Sequence, residues 1–247
     1  MGYMEPSRIP GSLMKHTQNQ VNVHSHVCRI LLLLPYFVSK IHVSHLGQKD
    51  MTPETSTTTP ASGIVRPIAL CHIVLRTKPE NYDRMVDWYV QFLGGWITHA
   101  AKGITFIGYD EEHHRIGIVP RADAVPRPTD NRPIVGLGHV AFGYKDLADL
   151  ATCYEQKKAA GIHPVWTVNH GPTTSLYYQD PDGNEVETQV DNFDTIEKTI
   201  AFMDGPDFEE NPMGVDFDPE VFVKRVRSGE DERSIKKRPN IGPRTTR

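Results

Sequence analysis

The chain runs twice through one pattern of hydrophobic periodicity, and that repeat limits the folds open to it. Residues 67–77 (PIALCHIVLRT) alternate apolar and other side chains as a strand does. Residues 80–93 then carry Tyr82, Met85, Val86, Tyr89, Val90 and Leu93 on one helical stripe, which Gly94-Gly95 stops. Residues 96–99, 104–109 and 115–119 read as short strands between turns. The pattern starts again with a strand over 135–143 (VGLGHVAFG). Asp146 caps a helix carrying Leu147, Leu150, Ala151 and Tyr154, Gly161 ends it, and strands follow over 164–168, 175–179 and 185–190. Each half is βαβββ. One such unit leaves a sheet face bare, so two must pair. The expected class is α+β: two paired βαβββ modules forming a half-open mixed-sheet barrel, with helices outside.

The modules occupy residues 67–125 and 134–192 of a domain over 64–192, and the proline-rich, polar stretch 120–133 links them. Residues 1–63 read as a poorly ordered extension, with Met51 as a candidate start of the functional polypeptide. The apolar run ILLLLPYFV at 30–38 is far shorter than the ~20 residues of a spanning helix, and Pro35 interrupts it. As a signal-peptide core it lies late and lacks a small-residue cleavage site. Residues 193–230 read as a helical extension, with Asp194 and Glu197 forming a capping box and Asp218-Pro219 opening a second helix. The basic, proline-broken stretch 231–247 reads as a disordered tail. A net charge of −4 offers no basic face for nucleic acid, and Cys28, Cys71 and Cys153 form no CxxC pair. A cytoplasmic protein is expected, free of membrane and nucleic acid; the apolar extension would suit a homo-oligomer.

Repetition also places chemistry. His72 and His139 fall at equivalent points of the two opening strands, Cys71-His72-Ile73-Val74-Leu75 against Gly138-His139-Val140-Ala141-Phe142. Both would face the cup. The last strand of the second module adds Glu185 and Glu187, which strand alternation puts on one face. Two imidazoles and one carboxylate make a facial triad with open positions, suited to Fe(II), with Mn(II) fitting the same ligands.

Residues 168–187 carry His170, five residues, Leu176-Tyr177, two residues, Asp180-Pro181-Asp182-Gly183, three residues and Glu187. That spacing resembles the signature of the extradiol ring-cleavage dioxygenases, and the repeat resembles the vicinal oxygen chelate architecture over roughly residues 67–192. The resemblance selects Glu187 over Glu185 and implies a metal site of His72, His139 and Glu187. It implies a pocket histidine at His114, acting as acid/base near O2, with His113 beside it. Tyr177 would donate a hydrogen bond to the substrate oxygen, and His170 would support it. In glyoxalase-type relatives the first module supplies a second acid; here Ile116 or Gly117 falls at that place. The implied partners are a small aromatic diol and O2. His99 and His163 read as structural or surface residues, and Tyr178 as packing. The same scaffold also serves metal-dependent isomerases, epimerases and lyases, or a non-catalytic binder of metal or small aromatics.

Overall fold

A computed structural model describes residues 63–128 and 132–247. The expected N-terminal extension over 1–63 lies outside the described residues, apart from its last position. The first module runs β1 (Ile73–Thr77), a short 3-10 turn (Pro79–Asn81), α1 (Tyr82–Leu93), β2 (Trp96–Ala101), β3 (Ile104–Gly108) and β4 (Ile116–Pro120). The second runs β5 (His139–Gly143), α2 (Leu147–Ala159), β6 (Trp166–Asn169), β7 (Thr173–Gln179) and β8 (Glu185–Asp191). Then come α3 (Ile196–Met203), α4 (Pro206–Glu210), β9 (Val215–Asp216), α5 (Pro219–Arg227) and α6 (Glu232–Lys236). The α+β class and both βαβββ units are as the periodicity implies.

The first sheet has the order β1-β4-β3-β2, the second β5-β8-β7-β6-β9. In both, the opening strand pairs in parallel with the last, and the other pairings are antiparallel. The opening strands are shorter than expected. β1 begins at Ile73 and β5 at His139, because each is an edge strand whose one partner begins at Ile116 or Glu185. His72 therefore lies just before β1 rather than in mid-strand.

Helix-side residues of both sheets enter one core. Met85, Tyr89 and Phe92 of α1 and Leu147, Leu150 and Ala151 of α2 are buried with Ile107, Ile116, Ile118, Leu176, Tyr178 and Val186. At the junction Phe92 meets Tyr178 edge-on at 5.2 Å, and the Lys157 ammonium sits 4.3 Å over the Phe92 ring. Tyr89 donates to Asp180 Oδ2 at 3.0 Å, tying α1 to the turn between β7 and β8. Asp180 Oδ1 also accepts from the backbone of Asp182 and Asn184, and Gly183 supplies the positive φ (+79°) that closes this turn.

Two further expectations are corrected. α3 is capped by Thr195, whose hydroxyl accepts from Lys198 N, while Asp194 pairs with the Lys198 side chain. Residues 231–247 are not a disordered tail. Asp231 caps α6, Ile235 is buried, and Arg238 donates to the carbonyls of His170 and Asn211. Arg244 pairs with Asp216 and Arg247 with Glu185. Basic side chains that find carboxylates and carbonyls on the second module hold the segment down. Among the described residues no helix is long and apolar enough to cross a membrane.

Candidate metal and aromatic-binding site

Strand register builds one cluster on the second sheet. His139 pairs with Glu185 and Ala141 with Glu187 across β5 and β8; Tyr177 stands opposite Glu187 and Trp166 opposite Tyr177. Alternation turns His139, Glu185, Glu187, Tyr177 and Trp166 to the face away from the core. His139 Nε2 lies 3.0 Å from Glu187 Oε2, with the carboxylate almost fully buried and the imidazole still partly open. The hydrogen bond to Glu187 raises the His139 pKa against the opposing effect of burial. For Glu187 burial pushes upward, but hydrogen bonds with His139, Ser175 and Tyr177 outweigh it and hold the carboxyl low.

His170 and Tyr177 form a second pair beside the first. The His170 Nδ1 atom lies 2.7 Å from the Met213 carbonyl, which can only accept, so Nδ1 carries the proton. In the neutral ring Nε2 is then an acceptor, and it lies 3.0 Å from the Tyr177 hydroxyl. Met213 reaches this position because Gly214 has φ +96° and runs against Asn169; a Cβ there would stand 2.3 Å from the Asn169 oxygen. Burial lowers the His170 pKa, which favours the neutral ring. Burial and then the Glu187 charge push the Tyr177 phenol far up, so it stays protonated. Trp166 stacks on Tyr177 at 4.8 Å, and its Nε1 donates to Asp216.

His72 and His114 meet elsewhere, on the first sheet. Their ring centroids are 4.4 Å apart, and His114 also lies 4.3 Å from Phe106 and against His113. His114 is buried, which lowers its pKa, as do the neighbouring charges of His113 and His72. The predicted residues are thus gathered as two groups: His139, Glu187, Tyr177 and His170 on one sheet, His72 and His114 on the other. Among the described residues no three His, Cys, Asp or Glu side chains form a group that could hold a metal. The expected convergence of His72 with His139 and Glu187 does not occur within one chain. His72 leads into the β1–β4 ladder and His139 opens the β5–β8 ladder, so each lies with its own sheet, and contacts such as Phe92 on Tyr178 and Tyr89 on Asp180 join the two modules.

Register also resolves the missing acid. Val74 pairs with Gly117 as Ala141 pairs with Glu187, so Gly117, not Ile116, stands where the second acid would be. Glu185 shares the face of Glu187 but is engaged by Arg247 at 2.6 Å. Trp166 and Arg247 were not anticipated. Trp166 joins the cluster only through register, and Arg247, whose guanidinium lies 4.6 Å over the Trp166 ring, arrives from 81 positions further along the chain.

The sequence profile of the Glyoxalase/Bleomycin resistance protein/Dioxygenase superfamily matches residues 69–188. The chain belongs to that superfamily, and within it the sequence is extradiol-dioxygenase-like. It is 42% identical over 159 residues to biphenyl-2,3-diol 1,2-dioxygenase 2 of Rhodococcus globerulus, a match covering 64% of this chain and 81% of that protein. With biphenyl-2,3-diol 1,2-dioxygenase 3 of the same organism it shares 38% over 167 residues, 67% of this chain and 86% of the relative.

Proposed function

We propose that this protein is an extradiol-type ring-cleavage dioxygenase acting with O2 on a catecholic aromatic. The observation that carries the reading is the His139–Glu187 pair, its carboxylate buried and its imidazole partly open, beside the Tyr177–His170 dyad on the sheet that bears the signature. Tyr177 keeps its proton and can donate it in a hydrogen bond to a substrate oxygen. The neutral His170, its Nε2 facing the phenol, can accept a proton relayed from that oxygen. Stacked Trp166 and Tyr177 offer an aromatic wall against which a planar ring can lie. His114, held neutral by burial, is the candidate acid/base on the other sheet. Two imidazoles and a carboxylate would select Fe(II), with Mn(II) as the alternative. Within one chain, however, only His139 and Glu187 stand together, so the fit to either metal is incomplete there.

The test is O2 uptake and ring-cleavage absorbance with a panel of catechols, using protein loaded anaerobically with Fe(II) or Mn(II). Uptake matched by product supports the reading. Bound metal with no O2 consumption on any catechol overturns it in favour of an isomerase, epimerase or lyase, or a binding protein.

A further inference from the structure

We propose that Cys153 and Lys157 are an oxidative modification site, at which a single oxygen comes to join Cys153 Sγ to Lys157 Nζ. The pair lies on the core side of the second sheet, apart from the candidate metal site. Both residues belong to α2, four positions apart and so on one face of it. Nζ stands 2.9 Å from Sγ, and both residues are buried, Cys153 4% and Lys157 5% exposed.

Burying an ammonium is costly unless an opposite charge answers it. Lys157 makes no ion pair among the described residues. Its Nζ donates to Sγ and, at 3.3 Å, to the Tyr144 hydroxyl, and it stands 4.3 Å over the Phe92 ring. A nitrogen and a thiol, both capable nucleophiles, are thus held in contact where the ring-cleavage reading has no use for either.

Two phenols complete the group. Burial first and Cys153 second push both Tyr144 and Tyr178 far up, so each keeps its proton as a donor. The Tyr178 hydroxyl is wholly buried and, among the described residues, has no hydrogen-bond partner. Thiol sulfur accepts hydrogen bonds only weakly. An oxygen set between Sγ and Nζ brings a stronger acceptor into this group, and Tyr178 is the donor that lacks one.

Peroxide is the oxidant. A first molecule converts the thiol to a sulfenic acid: an S–O bond forms, the S–H and O–O bonds break, and water leaves. The ammonium releases one proton to solvent. The sulfenic oxygen then bonds to Nζ as its O–H bond and one N–H bond break, and a second peroxide takes both hydrogens and becomes two waters. Each peroxide carries away one electron pair. One bridging oxygen fits the 2.9 Å gap with little movement, whereas a direct S–N bond would draw the two atoms much closer. The link removes the charge over Phe92, which meets Tyr178 edge-on where the two modules join, so oxidation is felt at that junction.

The test is peptide mapping by mass spectrometry. The full chain is reduced, freed of metal with a chelator, exposed to hydrogen peroxide and digested with trypsin. The peptide holding Cys153 should gain one oxygen, lose two hydrogens, escape thiol alkylation and run on through an uncut Lys157. A thiol reductant should restore the original peptide and cleavage after Lys157. Cys153→Ala and Lys157→Met should each abolish the product, with Cys153→Ser and Lys157→Arg in their place if either misfolds by circular dichroism. Oxygen gained with no hydrogen lost, Lys157 still being cut, means simple sulfur oxidation and overturns the link. Two hydrogens lost with no oxygen gained means a direct S–N bond and overturns the oxygen bridge. A Cys153 peptide left unmodified by peroxide that oxidises the exposed Cys71 overturns the proposal as well. None of these outcomes depends on the dioxygenase reading.

Discussion

Where the second sheet has Glu187 facing Tyr177, the first has Gly117 facing Phe106; where the second stacks Trp166 on Tyr177, the first sets His99 beside Phe106. The backbone ladders correspond position by position, yet the outer faces differ in chemical type. One carries an anion, a phenol and a polarised imidazole; the other carries imidazoles and aromatic carbon. Phe106 fills the space over Gly117, its ring carbons 3.5 Å from where a Cβ would sit, and also packs against His114. The duplicated fold thus supplies two equivalent platforms, and side-chain choice assigns them different tasks. The acid and hydrogen-bonding groups fall to one platform and the additional histidines to the other.

The largest effect should come from removing the acid that separates the platforms. Glu187→Ala should abolish metal retention and lower kcat/KM by roughly 10³-fold or more, since metal catalysis supplies several kcal/mol of transition-state stabilisation. Glu185→Ala is the matched control on the same face. Its carboxylate is held by Arg247, so metal content should be unchanged and kcat/KM should shift by less than about tenfold. Metal loss from Glu185→Ala with retention in Glu187→Ala would reverse the assignment.

Making the second platform imitate the first is the next test. Tyr177→Phe copies Phe106 and removes the hydroxyl that meets His170 at 3.0 Å. The ring remains, so stacking on Trp166 and metal content should persist while kcat falls by roughly 10²-fold. An unchanged kcat would reduce Tyr177 to a packing residue like its counterpart. The dyad also predicts a pH dependence. Burial lowers the His170 pKa from its ordinary 6.5, and the proposed relay needs the neutral ring. Activity should therefore fall on the acid side with a midpoint below pH 6.5, and that limb should change in His170→Asn. A midpoint above 6.5, unmoved by the substitution, would exclude His170 from the relay.

Much of this contrast is legible in the sequence, because period and spacing are local signals. The stripe through Met85, Val86 and Tyr89, the cap at Asp146 and the run from His170 to Glu187 are all read within a few residues of themselves. What is not legible depends on partners distant in the chain. Whether Ile116 or Gly117 matches Glu187 is decided by the β1–β4 ladder, which joins residues more than forty positions apart. The two histidines at repeat-equivalent positions suggested one cup, but equivalence of position says nothing of how the modules pack. Phe92 against Tyr178 and Tyr89 on Asp180 set that arrangement. The basic stretch after 231 looked disordered because charge and proline density are compositional signals. Its order comes from Asp216, Glu185 and the His170 carbonyl, none of which is nearby in sequence.

Two smaller effects probe the scaffold beneath the faces. Gly117→Glu attempts to give the first platform the acid of the second. A Cβ there would lie 3.3 Å from Val74 Cγ2, and the carboxylate would be forced among Phe106 and Val74 without the hydrogen bonds that hold Glu187 low. Overpacking of this kind costs about 1–3 kcal/mol, so denaturant unfolding should show a loss of that order and no gain of metal. The helices beneath the sheets differ as well. α1 begins at Asn81 with no side-chain cap and is held by burial of Met85, Val86, Tyr89 and Phe92. α2 begins at Asp146, whose carboxylate accepts from Asp149 N at 2.9 Å. Asp146→Ala removes that acceptor at an exposed position and should cost about 1 kcal/mol in denaturant unfolding, with O2 uptake unchanged. A loss well above that would mean that Asp146 also fixes the approach of β5 to α2, and hence the position of His139 itself.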